Sequence, residues 1–72
     1  MKTKLSKFIK ERRKLLGITQ EELASKAGVG LRFVREIEQG KKSLRLDKIN
    51  QVLSLFGFEM GPEKISERTY DE

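Results

Sequence analysis

The sequence predicts an all-α fold, a compact domain of four to five short helices. Three observations carry this prediction: apolar residues recur at helical spacing in four stretches, each stretch ends at a glycine, and strand-like alternation extends over only three residues. At 72 residues, 36% of them apolar, the chain has room for one small core. Because so small a core gives little stability by itself, we expect the chain to pair with a second one.

The first two predicted helices have clear boundaries. The first covers about residues 3–16 and stops at Gly17. The second begins at Thr19, whose hydroxyl can accept a hydrogen bond from the amide three residues later while Glu22 reaches back, as in a capping box. This helix ends at Gly28, which can adopt the left-handed conformation that closes helices.

The third and fourth predicted helices follow the same rule. The third runs from Leu31 to Gln39 and is ended by Gly40. A loop over residues 41–45 then leads to the fourth, whose apolar stripe runs from residue 46 to residue 56 before Gly57. All four helices are short, so tertiary packing must hold them.

The C-terminal segment differs from the helical part. Phe58, Glu59 and Met60 alternate apolar and polar, and Gly61-Pro62 then breaks the chain. Residues 57–61 are therefore predicted either as a short β-strand that pairs with its copy across a dimer, or as a coil that tucks Phe58 under the helices. We place the domain at residues 1–61 and a tail at 62–72, which could begin with a short helix over 62–68.

Charge is distributed unevenly along the chain. Residues 1–45 carry 13 Lys and Arg against 5 Asp and Glu, net +8, whereas residues 46–72 are net −3. A basic surface on so small a domain favours a polyanionic partner, nucleic acid first. A merely solvated lysine-rich surface is the alternative.

Several classes of function are disfavoured by composition. The chain has no Cys and no His, which excludes zinc fingers, thiol nucleophiles and Ser–His arrangements. Glu21 and Glu22 diverge by about 100° on a helix and cannot form a catalytic pair. We therefore expect no enzyme activity, no metal and no cofactor. No apolar stretch approaches the length of a membrane span, so we expect no membrane partner and a cytoplasmic, nucleoid-associated location.

Residues 19–39 carry the functional prediction. A short helix, a glycine-containing turn and a second short helix follow in the order of a helix-turn-helix, in which the second helix enters the major groove of DNA. Val34 and Ile37 share the face that must be buried, and Arg32 and Arg35 lie opposite. Arginine can donate two parallel hydrogen bonds to guanine, so these two are candidate base contacts.

The remaining candidate contacts surround this helix. Gly30 allows close backbone approach, and Leu31 either meets a thymine methyl or simply packs. Surface pairing of Arg32 with Glu36 is the alternative to base contact. Phosphate contacts are expected from Thr19, Gln20, Lys41, Lys42, Arg45 and Arg12. Arg13 and Glu38 are expected to form a charge-assisted pair between the first and third helices.

The motifs at these positions are characteristic of a family. The strings Thr19-Gln-Glu-Glu-Leu-Ala24, Gly28-Val29 and Ile37-Glu-Gln-Gly-Lys41 resemble the lambda-repressor-like helix-turn-helix family, also called the XRE family. The resemblance implies a domain that binds operator DNA as a dimer, with Gln20 anchoring phosphate and Arg13 paired with Glu38. It places the base-reading positions on Gly30, Leu31, Arg32, Arg35 and Glu36.

Residues 33–47 and the ending at Phe58-Glu59-Met60 resemble the HipB-type subgroup of antitoxins. That resemblance implies an autorepressor that dimerises partly through a C-terminal strand and holds a HipA-like kinase toxin. A stand-alone XRE-type regulator, phage-like or a restriction–modification controller, and a protein-interaction module with little DNA binding are the alternatives. RNA or non-specific binding is disfavoured because the aromatic residues do not interleave with basic ones.

Overall fold

The four predicted helices are present in a computed structural model that describes residues 2–63. They are α1 (Lys4–Leu15), α2 (Gln20–Ala27), α3 (Leu31–Gln39) and α4 (Leu46–Ser54). The prediction of an all-α fold is thereby confirmed. No helix within residues 2–63 is both long enough and apolar enough to cross a membrane.

Capping explains where the first two helices start. Thr19 Oγ1 accepts from the Glu22 amide at 3.0 Å, and Glu22 Oε1 accepts from the Thr19 amide at 2.8 Å. An equivalent box starts α1, where Thr3 Oγ1 accepts from the Ser6 amide and Ser6 Oγ accepts from the Thr3 amide. This second box was not predicted from the sequence because serine, rather than glutamate or glutamine, occupies its third position.

One apolar core joins the four helices. α3 packs against α1 and α2, and α4 packs against α2. Its fully or almost fully buried residues are Ile9, Leu23, Ala24, Val34, Ile37, Ile49, Val52 and Leu53. Every helix contributes at least one of them, as the short lengths of the helices require.

Left-handed glycines close α2 and α3. Gly28 has φ 75°, and the Val29 amide returns to the Ala24 carbonyl at 3.0 Å. Gly40 has φ 87°, and the Lys41 amide returns to the Glu36 carbonyl at 3.0 Å. These 6→1 hydrogen bonds are Schellman closures, so the turn between α2 and α3 has a defined geometry.

The C-terminal strand is absent from the described chain. Phe58 packs edge-on against Phe8, with ring centroids 4.8 Å apart, and the Met60 amide donates to Asn50 Oδ1 at 2.8 Å. A single chain offers these residues no strand to pair with, so a helix side chain accepts from the backbone instead. Of the two interpretations of this segment, the coil that brings Phe58 against the helices describes the chain.

The end of the helical region is also corrected. α4 ends at Ser54 rather than continuing to Phe56, and residues 55–57 form a turn with Gly57 at φ 85°. Residues 62 and 63 are not helical. The rest of the helix expected over 62–68 and the rest of the tail, residues 64–72, lie outside the described residues.

Candidate nucleic-acid interface

Helix α3 has one buried side and one open side. Val34 and Ile37 are 0% and 1% exposed, which fixes the back of the helix in the core. The Arg32 side chain is 92% exposed, and Arg35 is exposed as well. We define the outer face of α3 as Gly30, Arg32, Arg35, Glu36 and Gln39. It is a surface of largely polar groups on a helix whose other side is buried in the core.

The N-terminal end of α3 is bare. Gly30 is its N-cap residue, and no side chain accepts a hydrogen bond from the first amides there. A Cβ at Gly30 would have no atom within 4 Å, so the surroundings leave open space. Uncapped amides at a helix start favour an approaching anion or base edge. The sequence predicts close backbone approach to DNA at this same glycine.

Leu31 is predicted either to pack against the core or to contact a thymine methyl. It is only half-buried, and it packs against the core. The packing role that the sequence left open is therefore present in the structure. Contact with a thymine methyl stays a prediction for the part of Leu31 that remains accessible.

Glu36 is an acidic group among the cations of the outer face. Its Oε2 atom lies 3.5 Å from Arg32 Nε and 3.3 Å from Lys41 Nζ. The Glu36 side chain is 24% exposed, against 92% for Arg32 and 49% for Lys41. The surface pairing of Arg32 considered from the sequence is thus present, while its guanidinium stays accessible.

A buried ion pair connects α1 to α3. Arg13 Nε donates to Glu38 Oε2 at 2.7 Å and its Nη2 donates to Oε1 at 3.1 Å, a bidentate arrangement. Arg13 Nη1 also donates to the Ile18 carbonyl at 2.9 Å. The side chains of Arg13 and Glu38 are 13% and 4% exposed. The pair therefore fixes the position of α3 from inside the molecule.

Arg13 and Glu38 shift each other's pKa. Burial by itself would raise the pKa of Glu38, but hydrogen bonds from Arg13 and Gln20 and the nearby positive charges outweigh it and lower that pKa. The hydrogen bond to Glu38 raises the pKa of Arg13, against the opposing effect of burial. Both groups are consequently charged at neutral pH.

Gln20 is tied into the same cluster. Its Nε2 atom donates to Glu38 Oε1 at 3.0 Å, which links the start of α2 to the last turn of α3. Gln20 was predicted from the sequence as a phosphate contact, and its hydrogen bond to Glu38 was not predicted. No local pattern could have revealed it, because the two residues are 18 positions apart. The second proton on Nε2 leaves the amide able to donate to a ligand as well.

The loop cations differ in how they are engaged. Lys41 pairs with Glu36, and Arg45 forms two hydrogen bonds to Asp47, of 2.7 and 3.2 Å. The hydrogen bond from Arg45 is the largest cause of the lowered pKa of Asp47. Lys42 is exposed, and within residues 2–63 no carboxylate pairs with it or with Arg35. Among the candidate contacts on α3 and the following loop, Lys42 and Arg35 are therefore the cations without a carboxylate partner in the described part of the chain.

Arg12 lies in a different setting from the other candidate contacts. Its guanidinium carbon is 5.2 Å from the Phe8 ring centroid and 5.1 Å from that of Phe58. This cation–π packing joins α1 to the C-terminal segment. The phosphate contact expected of Arg12 stays a prediction, and the structure gives this residue a packing role that the sequence did not reveal.

The residues predicted to form a dimer interface lie beside an apolar groove. Phe58 and Met60 are 44% and 41% exposed, and Glu59 is exposed too. Leu5, Phe8 and Leu53 line the groove together with them. Exposed apolar side chains around a concave surface are typical of a site that another molecule covers.

Comparison with known proteins gives the family. The helix-turn-helix family profile matches residues 9–61. A protein of Sinorhizobium fredii (strain NBRC 101917 / NGR234), named "Uncharacterized HTH-type transcriptional regulator y4mF", is 47% identical over 45 residues. That alignment covers 62% of this chain and 59% of the relative, so the chain spans about three fifths of the relative's length. With α2 and α3 in the required order and most of the chain matched, the protein belongs to the XRE-like helix-turn-helix family.

Proposed function

We propose that the protein is a sequence-specific DNA-binding transcriptional repressor that acts as a dimer on a palindromic operator at the nucleoid. The orientation of α3 carries the proposal: its back is held by Val34 and Ile37, and the Arg32 side chain is 92% exposed on the other side. In this family architecture the second helix of the motif lies in the major groove. Arg32 and Arg35 would there donate paired hydrogen bonds to guanine.

The surroundings of α3 support phosphate contacts on both flanks. Gln20 lies at the start of α2, where the first amides and the helix dipole favour an anion. Lys41, Lys42 and Arg45 follow the end of α3 and are exposed. Since phosphate contacts set the position of a protein on DNA and base contacts set its preference, the two groups should respond differently to mutation.

The test compares Arg32 with Lys42. An operator is first selected from a random duplex library, and affinities are then measured for that operator and for random DNA. Arg32→Ala is expected to weaken operator binding by about 5- to 150-fold, the equivalent of about 1–3 kcal/mol, and random DNA far less. Lys42→Ala should weaken both DNAs alike. Equal loss on both DNAs for Arg32→Ala would remove its base-reading role.

The dimer is the second part of the proposal. Its support is the exposed apolar pair Phe58 and Met60 beside the groove, together with the small size of the core. A two-fold dimer would read half-sites about 34–36 Å apart. Sedimentation of the full chain should give a dimer, and Met60→Asp should weaken it. Leu15→Asp changes a residue that is 77% exposed at the end of α1 and should leave the dimer intact.

We further propose that the repressor is the antitoxin and autorepressor of a HipBA-type pair, with a HipA-like kinase as its toxin. The resemblance of residues 33–47 and of the C-terminal ending to HipB-type proteins supports this role. Co-expression with the neighbouring gene product should yield a stable complex with suppressed kinase activity. A neighbouring gene that encodes no kinase would favour a stand-alone XRE-type regulator.

A protein-interaction module with little DNA binding is the second candidate function. The exposed groove around Phe58 and Met60 is the observation that favours it. The library selection separates the two candidates. An enriched motif supports the repressor, whereas a partner complex formed without any enriched motif supports the module.

A further inference from the structure

We propose that Glu36 is a specificity-determining residue that acts by charge, weakening binding to non-cognate DNA more than binding to the operator. The inference rests on the proposed DNA-binding function and concerns how the outer face of α3 discriminates. Its structural basis is that Glu36 holds one cation of α3 and one of the following loop, Arg32 at 3.5 Å and Lys41 at 3.3 Å.

The stability of the helix does not explain this arrangement. In α3 the arginine is in the first turn and the glutamate in the second half, which opposes the helix dipole. The order Arg then Glu is also the weaker orientation for a pair four residues apart. An ion pair in which one partner is 92% exposed contributes little to folding. The position of Glu36 is therefore better accounted for by its effect on a ligand.

That effect follows from the charge of DNA. A carboxylate on the face that meets the duplex repels phosphate, and its two ion pairs compete with phosphate for Arg32 and Lys41. On random DNA a guanine lies opposite Arg32 only by chance, so the repulsion is seldom offset. On the operator Arg32 gains two directed hydrogen bonds to guanine, which offset the loss of Glu36. The carboxylate thus costs more affinity on random DNA than on the operator.

The test is Glu36→Gln, which keeps the shape and removes the charge. Affinity for the selected operator and for a random duplex is measured across a salt series. Random DNA should bind about 5- to 10-fold more tightly and the operator should gain less, so that the ratio of operator to random affinity falls. The salt slope on random DNA should steepen by about one. Glu36→Ala should change the ratio in the same direction.

Asp47→Asn provides a matched control. It removes the same charge and releases Arg45, which donates two hydrogen bonds to Asp47 of α4. Because Arg45 is a predicted phosphate contact only, this variant should tighten both DNAs equally and leave the ratio unchanged.

The outcomes separate the two proposals. If Glu36→Gln tightens both DNAs alike, as Asp47→Asn should, or leaves both unchanged, the discriminating role of Glu36 is wrong while the repressor stands. If Glu36→Gln weakens binding to both DNAs while the urea midpoint of unfolding stays the same, Glu36 supports binding. The inference is then again wrong. Absence of any selected motif for the unmodified protein overturns the proposed function itself, and the inference with it.

Discussion

Helices α2 and α3 are neighbours of almost equal length, yet they are stabilised in different ways. α2 begins with a capping box, has Glu21 and Glu22 in its first turn and ends with Lys26 in its last turn. α3 begins at Gly30 without a side-chain cap and has neither an acid in its first turn nor a base in its last turn. Caps and charges at both of its ends add to the core packing of α2. Apart from its closing glycine, α3 depends on contacts with distant residues.

The difference relates to what each helix leaves accessible. Capping groups and first-turn carboxylates at the start of α3 would occupy the amides and repel the phosphates of an approaching duplex. Val34, Ile37 and Glu38 instead hold α3 from behind, through the core and through Arg13. The helix that would meet DNA thus lacks side-chain caps at its open start, and its buried side supplies the contacts that stabilise it.

The largest expected effect tests the dependence of α3 on distant contacts. Arg13→Met would leave the Glu38 carboxylate, 4% exposed, without its charged partner. Breaking a buried pair from one side costs about 3–5 kcal/mol in the free energy of unfolding, measured by urea denaturation. Lys4→Met removes the exposed pair with Glu63 and should have almost no effect. Similar losses for the two variants would contradict the claim.

A change of pH tests the ion pair between Arg13 and Glu38 without removing either side chain. The folded pKa of Glu38 is below its ordinary value of 4.5, so its contribution to stability is present above that value and is lost as the pH falls through the lowered pKa. Unfolding free energies between pH 7 and pH 3 should fall less steeply for Glu38→Gln than for the unmodified protein. Parallel profiles would show that Glu38 does not titrate differently in the folded state.

A smaller effect is expected at the start of α2. Thr19→Ala removes the hydroxyl that accepts from the Glu22 amide at 3.0 Å. Losing such a cap costs about 1 kcal/mol in the free energy of unfolding. Ser25→Ala, at an exposed position in the same helix, should be neutral or slightly stabilising because alanine has the higher helix propensity. A neutral Thr19→Ala would mean that α2, too, depends mainly on the core.

The smallest effect is expected from adding a cap to α3. Gly30 has φ −76° and ψ 153°, a conformation open to any residue, and a Cβ there meets no atom within 4 Å. Gly30→Ser should therefore stabilise the protein by a few tenths of a kcal/mol, about the difference between serine and glycine caps. Gly28→Ser should destabilise it instead, because φ is 75° there. Thermal unfolding measures both, and a destabilised Gly30→Ser would show that the start of α3 is not bare.

Most helix boundaries could be predicted because their signals are local. Thr19 and Glu22 lie one turn apart, and Gly28 and Gly40 directly follow the last residues of α2 and α3. The orientation of α3 was predictable for the same reason, since Val34 and Ile37 are three residues apart on one face. The end of α4 was harder to predict, because the apolar pattern continues to Phe56 although the helix ends at Ser54.

The amino-acid sequence by itself determined the four helices, the basic first part of the chain and the family motif of α2 and α3. The tertiary structure decided which side chains meet across long separations: Gln20 with Glu38, Arg12 with the Phe8 and Phe58 rings, and Met60 with Asn50. It also decided against a strand at residues 58–60 in the single chain. The physical reason is that caps and periodicity act within a turn or two, whereas these contacts exist only after the core has brought the helices together.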